Sequence, residues 1–175
     1  MLSDLIMTRV SHDLAGICGA LYNTAELLEI DPSFATDSGA LIKSSTATLT
    51  ARLKFFRALF GADGAVIDTE LAKNYLKTLS APIDLLGEVK TRPQLAGILI
   101  CADALIRGGQ LTVLDQKVIA SGEIKADSNL NNALLGQLSE VGPKLAPAVW
   151  LNHWATQFGK TTSADIDTHN LTIHF

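Results

Sequence analysis

Over the first sixty positions the apolar residues recur with the period of a helix. Met7, Val10, Leu14, Ile17, Leu21, Thr24 and Leu28 stand three and four apart, with Thr24 the one polar member. That is a heptad stripe of the kind that packs into bundles. The segment "EIDPSF" ends it, because the residue before Pro32 is pushed out of the α region. A second stripe at Ile42, Leu49, Leu53, Phe56 and Phe60 stops at Gly61. Two helices with a short connection predict an antiparallel hairpin. Leu5, Ile6, Leu27, Leu41, Phe55 and Leu59 widen both stripes beyond one seam. A lone hairpin cannot bury so much, so the expected solution is a four-helix bundle built by a homodimer.

After "GADG" at 61–64, a short linker, the pattern changes. "TELAKNYLKTL" predicts a helix capped by Asp68 or Thr69, and "APIDLLGEV" a strand. "TRPQLAGILICADALIRGG" carries Thr91 as cap, Pro93 in the first turn and Gly108 as stop, a strong helix signal. "QLTVLDQKVIASGEIKA" reads as a strand pair and "SNLNNALLGQL" as a short helix. "APAVWLNHWATQFGK" reads as a longer helix with Val149, Trp150, Trp154 and Phe158 inward, and "DIDTHNLTIHF" as a closing hairpin. Helices segregated over a mixed sheet define an α+β fold. The expected division is a helical hairpin over 1–62 and an α/β sandwich over 65–175.

Composition narrows the function classes. The chain is 47% hydrophobic and 18% charged, which supports a packed core and excludes disorder. Its net charge of −4, with no Lys/Arg cluster, argues against a nucleic-acid partner. No apolar run reaches the roughly 20 residues of a bilayer span, and Asp4 and Arg9 interrupt any apolar leader. Cys18 and Cys101 sit in apolar helical patterns and make neither a disulfide framework nor a zinc site, so they read as reduced thiols. A cytoplasmic protein away from membranes is expected.

The first helix also holds the candidate chemistry. With Met7 and Leu14 in the seam, His12 falls on the opposite face, beside Thr8, Arg9, Ala15 and Gly16, with Gly19 and Ala20 continuing one flank. A helical histidine is most often a surface residue without a role, but this one stands above a floor of very small side chains. Gly16 and Gly19 each cost about 1 kcal/mol relative to alanine. Small residues also permit close helix crossings, which suits Gly19 as well as docking does; Gly16, off the seam, is harder to explain by packing. An exposed imidazole is nucleophilic near neutral pH, and its phosphoramidate is labile enough to pass a phosphoryl group on. Asp13 is either a partner for a ring nitrogen, holding its tautomer, or an ordinary solvated carboxylate. His153, His169 and His174 match no ligand spacing, and neither a metal site nor a bound cofactor is expected.

"SHDLAGICGALYNTAELLE" resembles the phosphoacceptor box of sensor histidine kinases. Together with Asn23, Glu26-Leu27-Leu28 and "LKFFRALFG", it resembles more closely the ChpT-type histidine phosphotransferases of alphaproteobacteria. The layout agrees over the whole chain; the specific motifs lie within residues 1–61. The resemblance implies a dimeric hairpin followed by a domain like the kinase ATP-binding domain that has lost nucleotide binding. It implies His12 as phosphorylated residue with Asp13 beside it, and Arg9, Ala15, Gly16 and Gly19 as the surroundings on which a receiver docks. The implied partners are response-regulator receiver domains and the receiver of a hybrid histidine kinase. Where sensor kinases commonly carry a polar Thr or Asn one turn after the histidine, this chain has Gly16, as monomeric phosphotransfer domains do, which favours relay over phosphatase activity. Aligned on the kinase pattern, Asp103 stands where the magnesium-holding Asn belongs and Leu99 where an acid belongs. "KVIASGEIKADSN" offers only Gly122 of the adenine motif, and the glycine-rich lid is missing from "GQLSEVGPKLAPAVW". No ATP-dependent kinase activity is expected. The alternative reading is a non-catalytic, kinase-like dimer that binds receivers or inhibits a kinase.

Overall fold

The structure, a computed structural model, describes residues 2–31, 33, 35–61, 64–138 and 140–175. Pro32, the expected helix breaker, and Ala62 and Asp63 of the expected linker lie outside the described residues. Two long helices, α1 (Leu2–Ile30) and α2 (Ala35–Phe60), pack together as a hairpin. Val10, Leu14, Ile17, Leu21 and Leu28 of α1 and Ile42 and Leu49 of α2 are only half-buried in their seam. Thr24 is buried there, and its hydroxyl is satisfied by donating to the Ala20 carbonyl at 2.7 Å. Met7 and Leu53, members of the stripes, are 62% and 46% exposed, because one helix-helix contact covers a strip narrower than the apolar pattern.

The remainder is an α+β unit. Helix α3 (Thr69–Leu76) and strand β1 (Ile83–Leu86) lead to α4 (Arg92–Ala104). The hairpin β2 (Leu105–Leu114) and β3 (Lys117–Ile124), α5 (Leu130–Leu134), α6 (Ala146–Gln157), β4 (Ser163–Ile166) and β5 (Asn170–His174) complete it. The five strands run in the order β1-β2-β3-β5-β4, parallel between β1 and β2 and antiparallel elsewhere. Helix α4 lies on one sheet face, where Leu95, Ile98, Leu99 and Cys101 meet Leu111, Val118, Leu171 and Ile173 in one core. The cap of α3 is Asp68, which accepts from the Leu71 amide, while the Thr69 hydroxyl accepts from Val89 N. Helix α4 starts on a capping box of Thr91 and Gln94, with Pro93 in its first turn.

Two local expectations are corrected. Helix α4 ends at Ala104, not at Gly108: Leu105 is extended and opens β2, whose ladders to β1 and β3 outweigh the helical period. Gly108, at φ +86°, is a break in that strand where a side chain would strike the Pro82 carbonyl. In α6 the fully buried line is Ala148, Leu151 and Ala155, which let the helix settle closely on α4; Val149, Trp150 and Trp154 do pack against the core, though half-buried, while Phe158, expected inward, is 65% exposed.

The end of the hairpin belongs to the core of the second unit. Phe55, Phe56, Ala58 and Leu59 are buried in it, Phe55 stacks on Tyr75 with centroids 4.0 Å apart, and Phe60 meets Trp150 edge-on. Contacts from α6 and the turn Pro143–Leu145 reach α1 directly. The second unit therefore lies against the turn of α1 that carries His12.

Candidate functional site

His12 stands on the outer face of α1 with its side chain 82% exposed. Its Nδ1 faces Asp13 Oδ1 at 3.3 Å, the long end of hydrogen-bonding distance. An ionised carboxylate only accepts, so this contact requires Nδ1 to carry the proton, and in the neutral ring the lone pair then sits on Nε2. Asp13 is not the solvated carboxylate that one reading of the sequence allowed: its side chain is 14% exposed. Its other oxygen, Oδ2, accepts from Arg9 Nε at 2.8 Å, and its backbone carbonyl accepts from Arg52 Nη1 at 2.9 Å. Arg52 also donates to the hydroxyl and carbonyl of Thr78, tying α1, α2 and the end of α3 together at this turn.

Arg9, expected among the docking residues, is 6% exposed. Its guanidinium turns inward, donating from Nη1 to Asp103 Oδ2 at 2.7 Å and from Nη2 to Asp103 Oδ1 at 3.0 Å. The fork-to-carboxylate geometry is the strong, bidentate kind. Burial works against the Arg9 charge, yet Asp103 and then Asp13 outweigh it and hold the guanidinium above its ordinary range. Burial likewise pushes the Asp103 carboxyl upward, opposed by Arg9. Arg9 therefore touches the site from below, through Asp13, and offers no charge to the open surface.

Ala15, Gly16 and Gly19 are exposed on the same side of α1 as His12. A methyl group added at Gly16 or Gly19 would meet nothing within 4 Å. Within this chain neither glycine serves a helix crossing; the low floor beside the imidazole is open.

Asp103 lies on α4, at the position aligned with a magnesium ligand in the kinase pattern. The cavity beside it, lined by Ile100, Asp103, Lys125, Asp127, Lys144 and Ala148 among others, has a volume of about 20 Å³, room for about one water molecule. Among the described residues no group of three His, Cys, Asp or Glu side chains is placed to hold a metal ion, and no helix is long and apolar enough to cross a membrane. Cys101 is fully buried and burial raises its thiol, leaving it inert, while Cys18 is exposed. Sequence reasoning did not foresee Arg52 or the pairing of Asp103. The Arg9–Asp13 spacing of four was a readable signal; Asp103, 94 residues from Arg9, gave none.

A family model described as the histidine phosphotransferase C-terminal domain matches residues 66–170. The chain belongs to the ChpT-type histidine phosphotransferase family. Among curated proteins, "Protein phosphotransferase ChpT" of Brucella abortus (strain 2308) is 38% identical over 125 residues, which cover 64% of this chain and 59% of that protein's length. A solved structure described as that of a bacterial phosphotransferase superposes with a TM-score of 0.76 at 25% identity, covering 98% of this chain and 94% of the other.

Proposed function

We propose that the protein is a dimeric histidine phosphotransferase that relays phosphoryl groups between receiver-domain aspartates through His12. The observation that supports this best is the state of the imidazole: 82% exposed, with Nδ1 directed at Asp13 and Nε2 left as the nucleophile. In the transfer Nε2 attacks the phosphorus of a receiver's aspartyl phosphate. The N–P bond forms as the bond to the acyl oxygen breaks, and the receiver regains its carboxylate. The positive charge that develops on the ring is shared with Nδ1–H, where Asp13 balances it. Reversal on a second receiver completes the relay, and neither direction is strongly uphill because both intermediates are high-energy phosphates. Positioning supplies most of the rate, since donor oxygen, phosphorus and nitrogen must come into line within about 3 Å of one another.

The open floor at Ala15, Gly16 and Gly19 is where the receiver's loops lie, and the receiver brings its own magnesium and acidic pocket. The hairpin over 1–62 is the dimerisation and phosphotransfer unit, and 65–175 adds docking surface without ATPase chemistry. Dimerisation is supported by the apolar residues the single chain leaves exposed on α1 and α2: Met7, Tyr22, Leu27, Ile30, Leu41 and Leu53. Both partners and the relay itself belong in the cytoplasm.

The test is transfer from a phosphorylated receiver. The wild-type chain should acquire an acid-labile, alkali-stable phosphoryl group, and His12→Ala should acquire none. Label retained by His12→Ala refutes the assignment. A wild-type chain that binds receivers but never takes label refutes the relay and leaves the non-catalytic reading.

A further inference from the structure

We propose that Asp103, in the second unit, is a positioning residue for His12, acting through Arg9 and Asp13; this rests on His12 being the phosphoacceptor. The contacts run in series. Asp103 accepts both Nη groups of Arg9 at 2.7 and 3.0 Å, Arg9 Nε donates to Asp13 Oδ2 at 2.8 Å, and Asp13 Oδ1 faces His12 Nδ1 at 3.3 Å. The guanidinium is planar with donors in a fixed fork. Seating its Nη edge on Asp103 therefore dictates where Nε points, and that fixes the plane of the Asp13 carboxylate. With one oxygen of Asp13 engaged by Arg9, the other is left aimed at the imidazole.

Side-chain exposure along the series is 20% for Asp103, 8% for Arg9 and 14% for Asp13, then 82% for His12. A largely buried framework thus ends on one exposed ring. Asp103 also keeps Arg9 from engaging Asp13 with its whole fork. Without that anchor the guanidinium is free to turn its second donor onto Asp13 and draw the carboxylate from His12. The imidazole then loses the contact that holds the proton on Nδ1 and drifts toward the Nε2–H tautomer, whose outward nitrogen carries a proton and cannot attack phosphorus.

The test reads the ring itself, by ¹⁵N-detected NMR of the His12 side chain in the intact protein above the pH at which the imidazole is neutral. Wild type should show Nδ1–H in excess. Asp103→Asn should shift the tautomer ratio toward Nε2–H by about fivefold, the worth of one net hydrogen bond, with Asp103→Glu restoring part of it. Transfer from a phosphorylated receiver should slow by a similar factor. Should Asp103→Asn fail to fold, Arg9→Lys keeps the charge but removes the fork, and it should shift the ratio in the same sense. An unchanged tautomer ratio in a folded Asp103→Asn, or in Arg9→Lys if that first variant fails to fold, overturns the proposal. Because the spectrum is recorded without any receiver, failure of the relay reading shows separately, as absent labelling of wild type in the His12→Ala comparison.

Discussion

Replacing Gly16 separates the reason for its presence from its cost. In a helix interior glycine is about 0.8–1.0 kcal/mol worse than alanine. A Cβ at Gly16, like one at Gly19, meets nothing within 4 Å, so no steric penalty offsets the gain. Gly16→Ala with Gly19→Ala should therefore add about 2 kcal/mol to a total of roughly 5–15 kcal/mol. For a chain of this size that raises Tm by about 4–8 °C. Urea unfolding followed by circular dichroism gives the free energy, and a matching thermal melt checks it. Gly16→Phe should also fold, since the same space is open, but it places a ring one turn from His12 and should slow transfer from a phosphorylated receiver by more than tenfold. The reasoning fails in two ways: if the alanine pair is less stable than wild type, something packs on these glycines in solution, and if Gly16→Phe transfers at the wild-type rate, the floor is not a docking surface.

Arg9→Met strands Asp13 and Asp103 without their cation. Breaking a fully buried pair costs about 3–5 kcal/mol; with both carboxylates retaining some solvent contact, we expect about 2–3 kcal/mol by urea unfolding, largely recovered in Arg9→Met/Asp103→Leu. Magnesium-ATP should give no calorimetric binding signal, because Asp103 is occupied by Arg9 and the cavity beside it holds about 20 Å³; a micromolar dissociation constant would reverse that expectation. Light scattering should give twice the 18.6 kDa chain mass at micromolar concentration, with an interface burying about 2,000 Å² or more; a stable monomer would remove the dimer.

Much of the architecture was legible because it is encoded locally. The Thr91 cap with Pro93 in the first turn, the strand pair around Asp115 and Gln116, and the long amphipathic helices all announce themselves within a dozen residues. The errors lie where long-range contacts decide. Gly108 carries the signature of a helix stop, yet β2 claims the three residues before it. In α6 the aromatics are conspicuous in sequence, while the small residues Ala148 and Ala155 are what allow close packing. At the site, helical spacing alone places His12 above the small residues of α1, while it leaves the role of Asp13 open between a ring partner and a solvated carboxylate. That Arg9 faces inward was not, because its partner Asp103 is distant in sequence and brought near only by the packing of the second unit against α1.

The clamp between Arg9 and Asp103 has an entropic consequence for any partner that touches both units. A domain hung on a short tether must be immobilised when it is captured, and that ordering is subtracted from the binding free energy. Here the buried ion pair, together with the phenylalanines at the end of α2, has already fixed the second unit beside α1 during folding. A visitor meets one rigid, pre-registered surface, so it needs fewer strong contacts to be held in line. Modest contacts also mean fast departure, which suits the relay proposed for His12.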